Sequence, residues 1–214
     1  MQKTIALFIH DPKCSVQSGN GIMKSLGNKY SFKLFSKNKL ENNFFDDVDM
    51  IAIPGGIGDS NSYKNLFKHN ETSVIDFVNR GGKYLGICMG AYWAGSHYLN
   101  ILNKVDAVQY ITQPKTDTRR PHAKNIEINW DGIDTKMFFY DGCALVGNGN
   151  YKTIATYANG DAMAIIQKNI GLIGCHPESE QFWYDSYSWL KGKYHNGEHH
   201  ALLLNFVDRL MECK

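Results

Sequence analysis

Lys83-Tyr84-Leu85-Gly86-Ile87-Cys88-Met89-Gly90-Ala91-Tyr92-Trp93-Ala94-Gly95 reads as a short buried strand, a sharp turn carrying Cys88 and the start of a helix. Gly86 and Gly90 stand two residues to either side of the cysteine, the G-x-C-x-G form of a nucleophile elbow. Small neighbours let the backbone turn tightly and push the thiol outward at the strand's end. The helix that follows points its unpaired N–H groups and its positive dipole end at the sulfur, which favours thiolate over thiol. The N–H of Met89 is then placed to serve an oxyanion. Taken alone, the pattern fits equally well a glycine-flanked turn around a small buried cysteine.

Outward from this stretch, strands and helices alternate. Thr4 to Ile9 is an apolar run that stops at His10-Asp11-Pro12, and Tyr30 to Phe35 and Val48 to Pro54 read as further strands. Between the first two, Ser18-Gly19-Asn20-Gly21 reads as a loop, and Ile22, Met23 and Leu26 have helical spacing. Pro54-Gly55-Gly56 followed by Ile57-Gly58-Asp59-Ser60 leaves backbone N–H groups unshielded at a strand's end, an arrangement that can bind an anion or oxyanion; the alternative is an ordinary tight turn. Glu71 to Asn79 is an amphipathic helix with Asn70 as its N-cap and Gly81-Gly82 as its stop. Such alternation implies a parallel sheet, whose sites lie at the carboxyl ends of the strands, where both Gly55-Gly56 and Cys88 fall.

Beyond Gly95 the pattern turns antiparallel. Ile111 to Arg120 is irregular, while Lys124 to Trp130 and Thr135 to Tyr140 alternate around Asp131-Gly132. Lys152 to Tyr157 and Asp161 to Gln167 flank Asn159-Gly160, a type I′ hairpin signal. Ile170 to Cys175 forms a last strand that delivers His176-Pro177-Glu178. The aromatic stretch from Ser179 to Gly197 is a lid or a packed cap. Glu198 to Met211 closes the chain with Leu202, Leu203, Phe206, Val207 and Leu210 on one helical face.

The 214 residues fit one domain spanning 1–214, and a formal charge of +2 gives no nucleic-acid footprint. Five cysteines without a C-x-x-C pair suggest neither a disulfide framework nor a zinc site, so a reducing cytoplasmic compartment is expected. The apolar N-terminal run is too short for a signal peptide, and no stretch approaches a membrane span. His195, His199 and His200 lack an accompanying carboxylate cluster and read as part of a cap and first helical turn, leaving no metal or cofactor expected. Arg119-Arg120 and His122 read as solvated surface.

A cysteine nucleophile needs a base and a group that orients the base, and His176 with Glu178 supplies both types after a buried strand. With Pro54-Gly55-Gly56, Gly86-Ile87-Cys88-Met89-Gly90 and His176-Pro177-Glu178 in this order, the sequence resembles the class I glutamine amidotransferase-like superfamily. Ile53 to Gly56, Gly81 to Tyr92 and Phe139-Tyr140-Asp141-Gly142 together look like the N-terminal domain of eukaryotic biotin–protein ligases and its free-standing microbial relatives. The resemblance implies an α/β, flavodoxin-like three-layer sandwich, its sheet mostly parallel with antiparallel strands in the second half. It further implies Cys88 as nucleophile, His176 as base, Glu178 as orienter, and amides at Gly55, Gly56 and Met89 as the oxyanion hole.

Tyr92 departs from the superfamily, standing where glutamine-hydrolysing members carry a glutamine. Met89 departs from the protease and glyoxalase branch, which places histidine directly after the cysteine. The chain lacks the Gly-Arg-Gly-rich biotinyl-adenylate loop, so biotin ligase activity is not expected. The expected function is a cysteine-dependent amidase or hydrolase acting on a small amide or related carbonyl. The alternative is a non-catalytic binding or regulatory domain that holds a small amide or carboxylate and meets a protein partner through Phe182 to Tyr194.

Overall fold

The computed structural model describes residues 2–10, 15–41 and 43–213; Asp11-Pro12, expected to end the first strand, and Cys14 lie outside the described residues. Five strands form the parallel half: β1 (Thr4–Phe8), β2 (Ser31–Phe35), β3 (Met50–Ile53), β4 (Lys83–Ile87) and β11 (Ile170–Ile173), in the order β2-β1-β3-β4-β11. Their sequences are near-continuous apolar runs because both faces are covered, and alternate side chains serve opposite faces. Ile5, Leu7, Met50 and Ala52 join a core with Ile22 and Leu26 of α1 (Val16–Leu26) and Leu203 and Phe206 of α6 (Glu198–Glu212). Ala6, Phe8, Ile51 and Ile53 face the other way, onto Val74, Phe77 and Val78 of α3 (Glu71–Asn79). The result is a three-layer α/β sandwich.

The sheet continues antiparallel from β11 through β10 (Ala162–Gln167), β9 (Lys152–Tyr157), β6 (Lys124–Trp130) and β7 (Ile133–Phe139). Two strands absent from the sequence reading, β5 (Val105–Gln109) and β8 (Cys143–Gly147), pair with each other, and β8 also touches β10. The β9–β10 connection is not the expected type I′ turn, which needs positive φ at both central residues. Gly160 has φ +90, whereas Asn159 is not among the described residues of positive φ; its side chain instead accepts the Asp161 N–H.

Three further expectations change. Ser18-Gly19-Asn20-Gly21 is helical, inside α1, because Ser15 caps that helix and Gly21 lets it approach the Glu178 carbonyl where a Cβ would sit 2.1 Å from the oxygen. Asp59-Ser60 opens a helix, α2 (Ser60–Leu66), with the Asp59 carboxylate accepting the Ser62 N–H. Asn70 precedes α3 without capping it through its side chain, which binds the Leu40 N–H and the Asn38 carbonyl. The aromatic stretch after Glu178 contains α5 (Gln181–Asp185) and packs as a cap, with Trp183, Tyr184 and Leu190 on Ala123 and Phe138. Among the described residues no helix is long and apolar enough to cross a membrane.

Candidate active site

Cys88 sits between β4 and α4 (Met89–Ala94) with φ 47° and ψ −99°, a strained backbone for a residue with a side chain. Two close approaches hold it. The Cys88 N–H donates to the Ile173 carbonyl at 2.8 Å, tying the elbow to β11, and Gly90 packs where a Cβ would lie 2.1 Å from the Ile53 oxygen. The residue is 5 % exposed, so the turn does not thrust the thiol into open solvent. Its sulfur instead borders two cavities and lies 3.8 Å from the Tyr140 carbonyl oxygen.

The turn after β11 brings His176 and Glu178 to this sulfur. His176 Nδ1 lies 2.9 Å from Glu178 Oε1, and the ring also hydrogen-bonds Cys88, so one imidazole links carboxylate and thiol. Burial pushes the imidazole down, but the Glu178 carboxylate, Cys88 and the hydrogen bonds to both outweigh it and raise its pKa to about 10. Phe138 and Trp183 stand edge-on to the ring and fix its plane. The helix α4 is only six residues long, so the charge available beside the sulfur comes chiefly from this imidazolium.

Ser18, which the sequence reading left in a loop, completes the arrangement. Buried on α1, it donates from Oγ to Glu178 Oε1 at 2.6 Å and accepts the Gly55 N–H at 2.9 Å. Gly55 is therefore not an oxyanion donor as expected, since its N–H is already committed. It is needed for space: a Cβ there would lie 2.5 Å from His176 Cε1. Gly56 lines both cavities, and Met89, first residue of α4, carries one of the N–H groups that a helix's first turn leaves without intrahelical partners.

The first cavity, about 300 Å³, holds His176 and is walled by Phe138, Phe182, Trp183 and Tyr187. The second, about 450 Å³, lies towards Tyr92, Tyr98, Gln109 and Asp141. Gly56, Ile57, Cys88 and Tyr140 border both. Tyr92 faces this second cavity, and its hydroxyl donates to the Asp141 carbonyl at 3.1 Å. Cys143 and Cys175 are buried free thiols that burial pushes well up, away from reactivity at neutral pH. Among the described residues no group of three or more His, Cys, Asp or Glu is placed to hold a metal ion.

Solved structures share this architecture. A glutamine amidotransferase from Thermotoga maritima superposes with a TM-score of 0.70 at 11% identity, covering 99% of each chain. A second glutamine amidotransferase gives 0.65 at 14% identity, over 97% of this chain and 98% of the other. Identities this low speak for the fold alone, which is the one these glutamine amidotransferases share with this chain. Residues 11–106 match the family described as biotin-protein ligase, N terminal. The sequence is 30% identical over 166 residues to the biotin–protein ligase of Schizosaccharomyces pombe, covering 60% of this chain and 25% of that protein. The chain thus spans about a quarter of the curated relative it matches.

Proposed function

We propose that this chain is a cysteine-dependent amidase or related acyl-transfer hydrolase. The observation that carries the reading is the hydrogen-bonded series Cys88, His176, Glu178 at a strained elbow bordered by two cavities. In the first step the Cys88 sulfur attacks the substrate carbonyl carbon, and the N–H groups of Met89 and Gly56 receive the resulting oxyanion. The imidazolium of His176 gives its proton to the leaving amine, and the carbon–nitrogen bond breaks to leave a thioester. Water, losing a proton to His176, then attacks the thioester and releases the carboxylic acid and Cys88. Because His176 lines only the aromatic cavity, the leaving group departs there and the acyl part occupies the other.

The reading is tested by the pH dependence of Cys88 alkylation with iodoacetamide, mapped by peptide mass spectrometry, in the native protein, in His176→Ala and in unfolded chain. A native Cys88 that reacts faster at neutral pH than the unfolded one, and loses that advantage in His176→Ala, is the expected result. An unaccelerated Cys88 sinks it.

The second reading, a non-catalytic binding or regulatory domain with the same fold, draws on Tyr92. Its ring stands where hydrolysing relatives carry glutamine, and its hydroxyl is already bonded within the protein. A binding domain keeps its affinity for small amides after Cys88→Ser and shows no turnover before it.

A further inference from the structure

The cavity assigned to the acyl part has a charge character that the elbow motif does not dictate. Its lining includes two carboxylates, Asp59 and Asp141, and no lysine, arginine or histidine among the described residues. Asp59 caps α2, accepting the Ser62 N–H, whereas Asp141 lies next to Tyr140, whose carbonyl faces the Cys88 sulfur. Asp141 has φ 52°, an unfavoured backbone, and the next residue, Gly142, packs on the turn after β11, where a Cβ would lie 2.2 Å from the Gly174 oxygen. Gln109 Nε2 donates to both Asp141 carboxylate oxygens, at 3.2 and 3.1 Å, which fixes the group's orientation and leaves further lone pairs for a donor. Burial pushes the Asp141 carboxyl up and Gln109 only partly offsets it, the state of a carboxylate short of positive charge. Tyr92 and Tyr98 complete the wall, their hydroxyls tied to the carbonyls of Asp141 and Gly58.

We propose that Asp141 is a specificity residue: the substrate is an amide or related carbonyl compound whose acyl part carries an ammonium group, which Asp141 receives beside the reacting sulfur. A free carboxylate placed there instead meets the like charge of Asp141, so the cavity disfavours anionic acyl groups. This inference rests on the hydrolase reading above, but its test can fail separately.

The test uses three reagents of one reactive group and different charge: 2-aminoethyl, methyl and 2-sulfonatoethyl methanethiosulfonate. In each the Cys88 thiolate attacks the sulfenyl sulfur, a mixed disulfide forms and methanesulfinate leaves, with the modified residue mapped by peptide mass spectrometry. The readout is the ratio of the aminoethyl to the sulfonatoethyl rate, which cancels any change in the thiol's own nucleophilicity. A partly screened ion pair makes this ratio about five- to tenfold larger at native Cys88 than in the unfolded chain. Asp141→Asn, which keeps a backbone that asparagine tolerates, lowers the native ratio by about the same five- to tenfold. High salt lowers the native ratio as well, a measurement that needs no variant. A ratio equal to that of unfolded chain, or one unmoved by Asp141→Asn, overturns the proposal while a fast, His176-dependent methyl reagent leaves the hydrolase reading standing. A Cys88 silent to all three reagents overturns both.

Discussion

Two buried histidine environments lie on either side of Glu178-Ser179 and are tuned in opposite directions. His176 is held as a cation, its pKa raised to about 10, because burial is outweighed by Glu178 and Cys88. His195 and His199, stacked at 4.1 Å between ring centroids, are lowered to about 4 and about 3. For His195 burial outweighs the hydrogen bond to the Ser179 carbonyl; for His199 burial is reinforced by the neighbouring His195 and His200. Burial alone discharges an imidazole, and only a buried carboxylate reverses the sign. The backbone enforces the second state: His195 Nδ1 accepts the N–H groups of Gly197 and His199, so its proton belongs on Nε2 and a second proton breaks both bonds.

The largest effect that breaks this contrast is loss of the base. His176→Ala is expected to slow turnover of an amide substrate by about 10²- to 10⁴-fold, the usual contribution of a positioned acid–base group. Turnover in the native protein falls as pH rises through about 10, where the imidazolium that protonates the leaving group is lost. A rate that stays level through that range removes His176 from the role of acid.

Next comes conversion of one environment into the other. Glu178→Gln keeps a side chain that can accept from Ser18 but removes the charge, so His176 should titrate below 6.5, as the cap histidines do, and Cys88 should lose about a hundredfold in reactivity at neutral pH. Imidazole NMR reads the first effect and alkylation kinetics the second. If His176 keeps its raised pKa in this variant, Cys88 and not Glu178 is what holds its proton.

The cap side gives a smaller and opposite response. A histidine lowered on folding contributes stability that is fully present above its unfolded value of 6.5 and is lost as pH falls through the folded value. Melting temperature should therefore drop by several degrees between pH 7 and pH 4. His195→Gln, whose amide can still donate to the Ser179 carbonyl, should flatten part of that drop. An unchanged acid slope in the variant places the acid-labile groups elsewhere.

The sequence was legible where chemistry and local pattern coincide. Gly86-x-Cys88-x-Gly90 marks the elbow because no larger residue fits those approaches, and the apolar runs from Thr4 and Val48 mark parallel strands because both sheet faces are covered. Ser18 was hidden because serine, two glycines and an asparagine normally break helices. Here packing overrides propensity: Gly21 is small so that α1 can lie against the Glu178 backbone, and that proximity brings the Ser18 hydroxyl to the carboxylate. β5 and β8 were hidden for another reason: they pair mainly with each other rather than within the main strand order. Gly55 was legible as a functional glycine but not as the space for an imidazole, since that role depends on a residue distant in sequence.

The smallest expected effect refines the His176 environment rather than abolishing it. Ser18→Ala removes one of the two hydrogen-bond donors to Glu178 Oε1 and leaves the Gly55 N–H without its acceptor, a cost of about 1–3 kcal/mol in stability. Glu178 stays beside His176, so the imidazole remains a cation at neutral pH. The freed Gly55 loop and the less constrained carboxylate should lower Cys88 reactivity by only about three- to tenfold. The hydroxyl thus joins two halves of the site, the glycine turn after β3 and the acid–base pair after β11, through one oxygen. A Ser18→Ala protein that melts lower yet keeps both the His176 titration and the alkylation rate makes Ser18 a packing contact and nothing more.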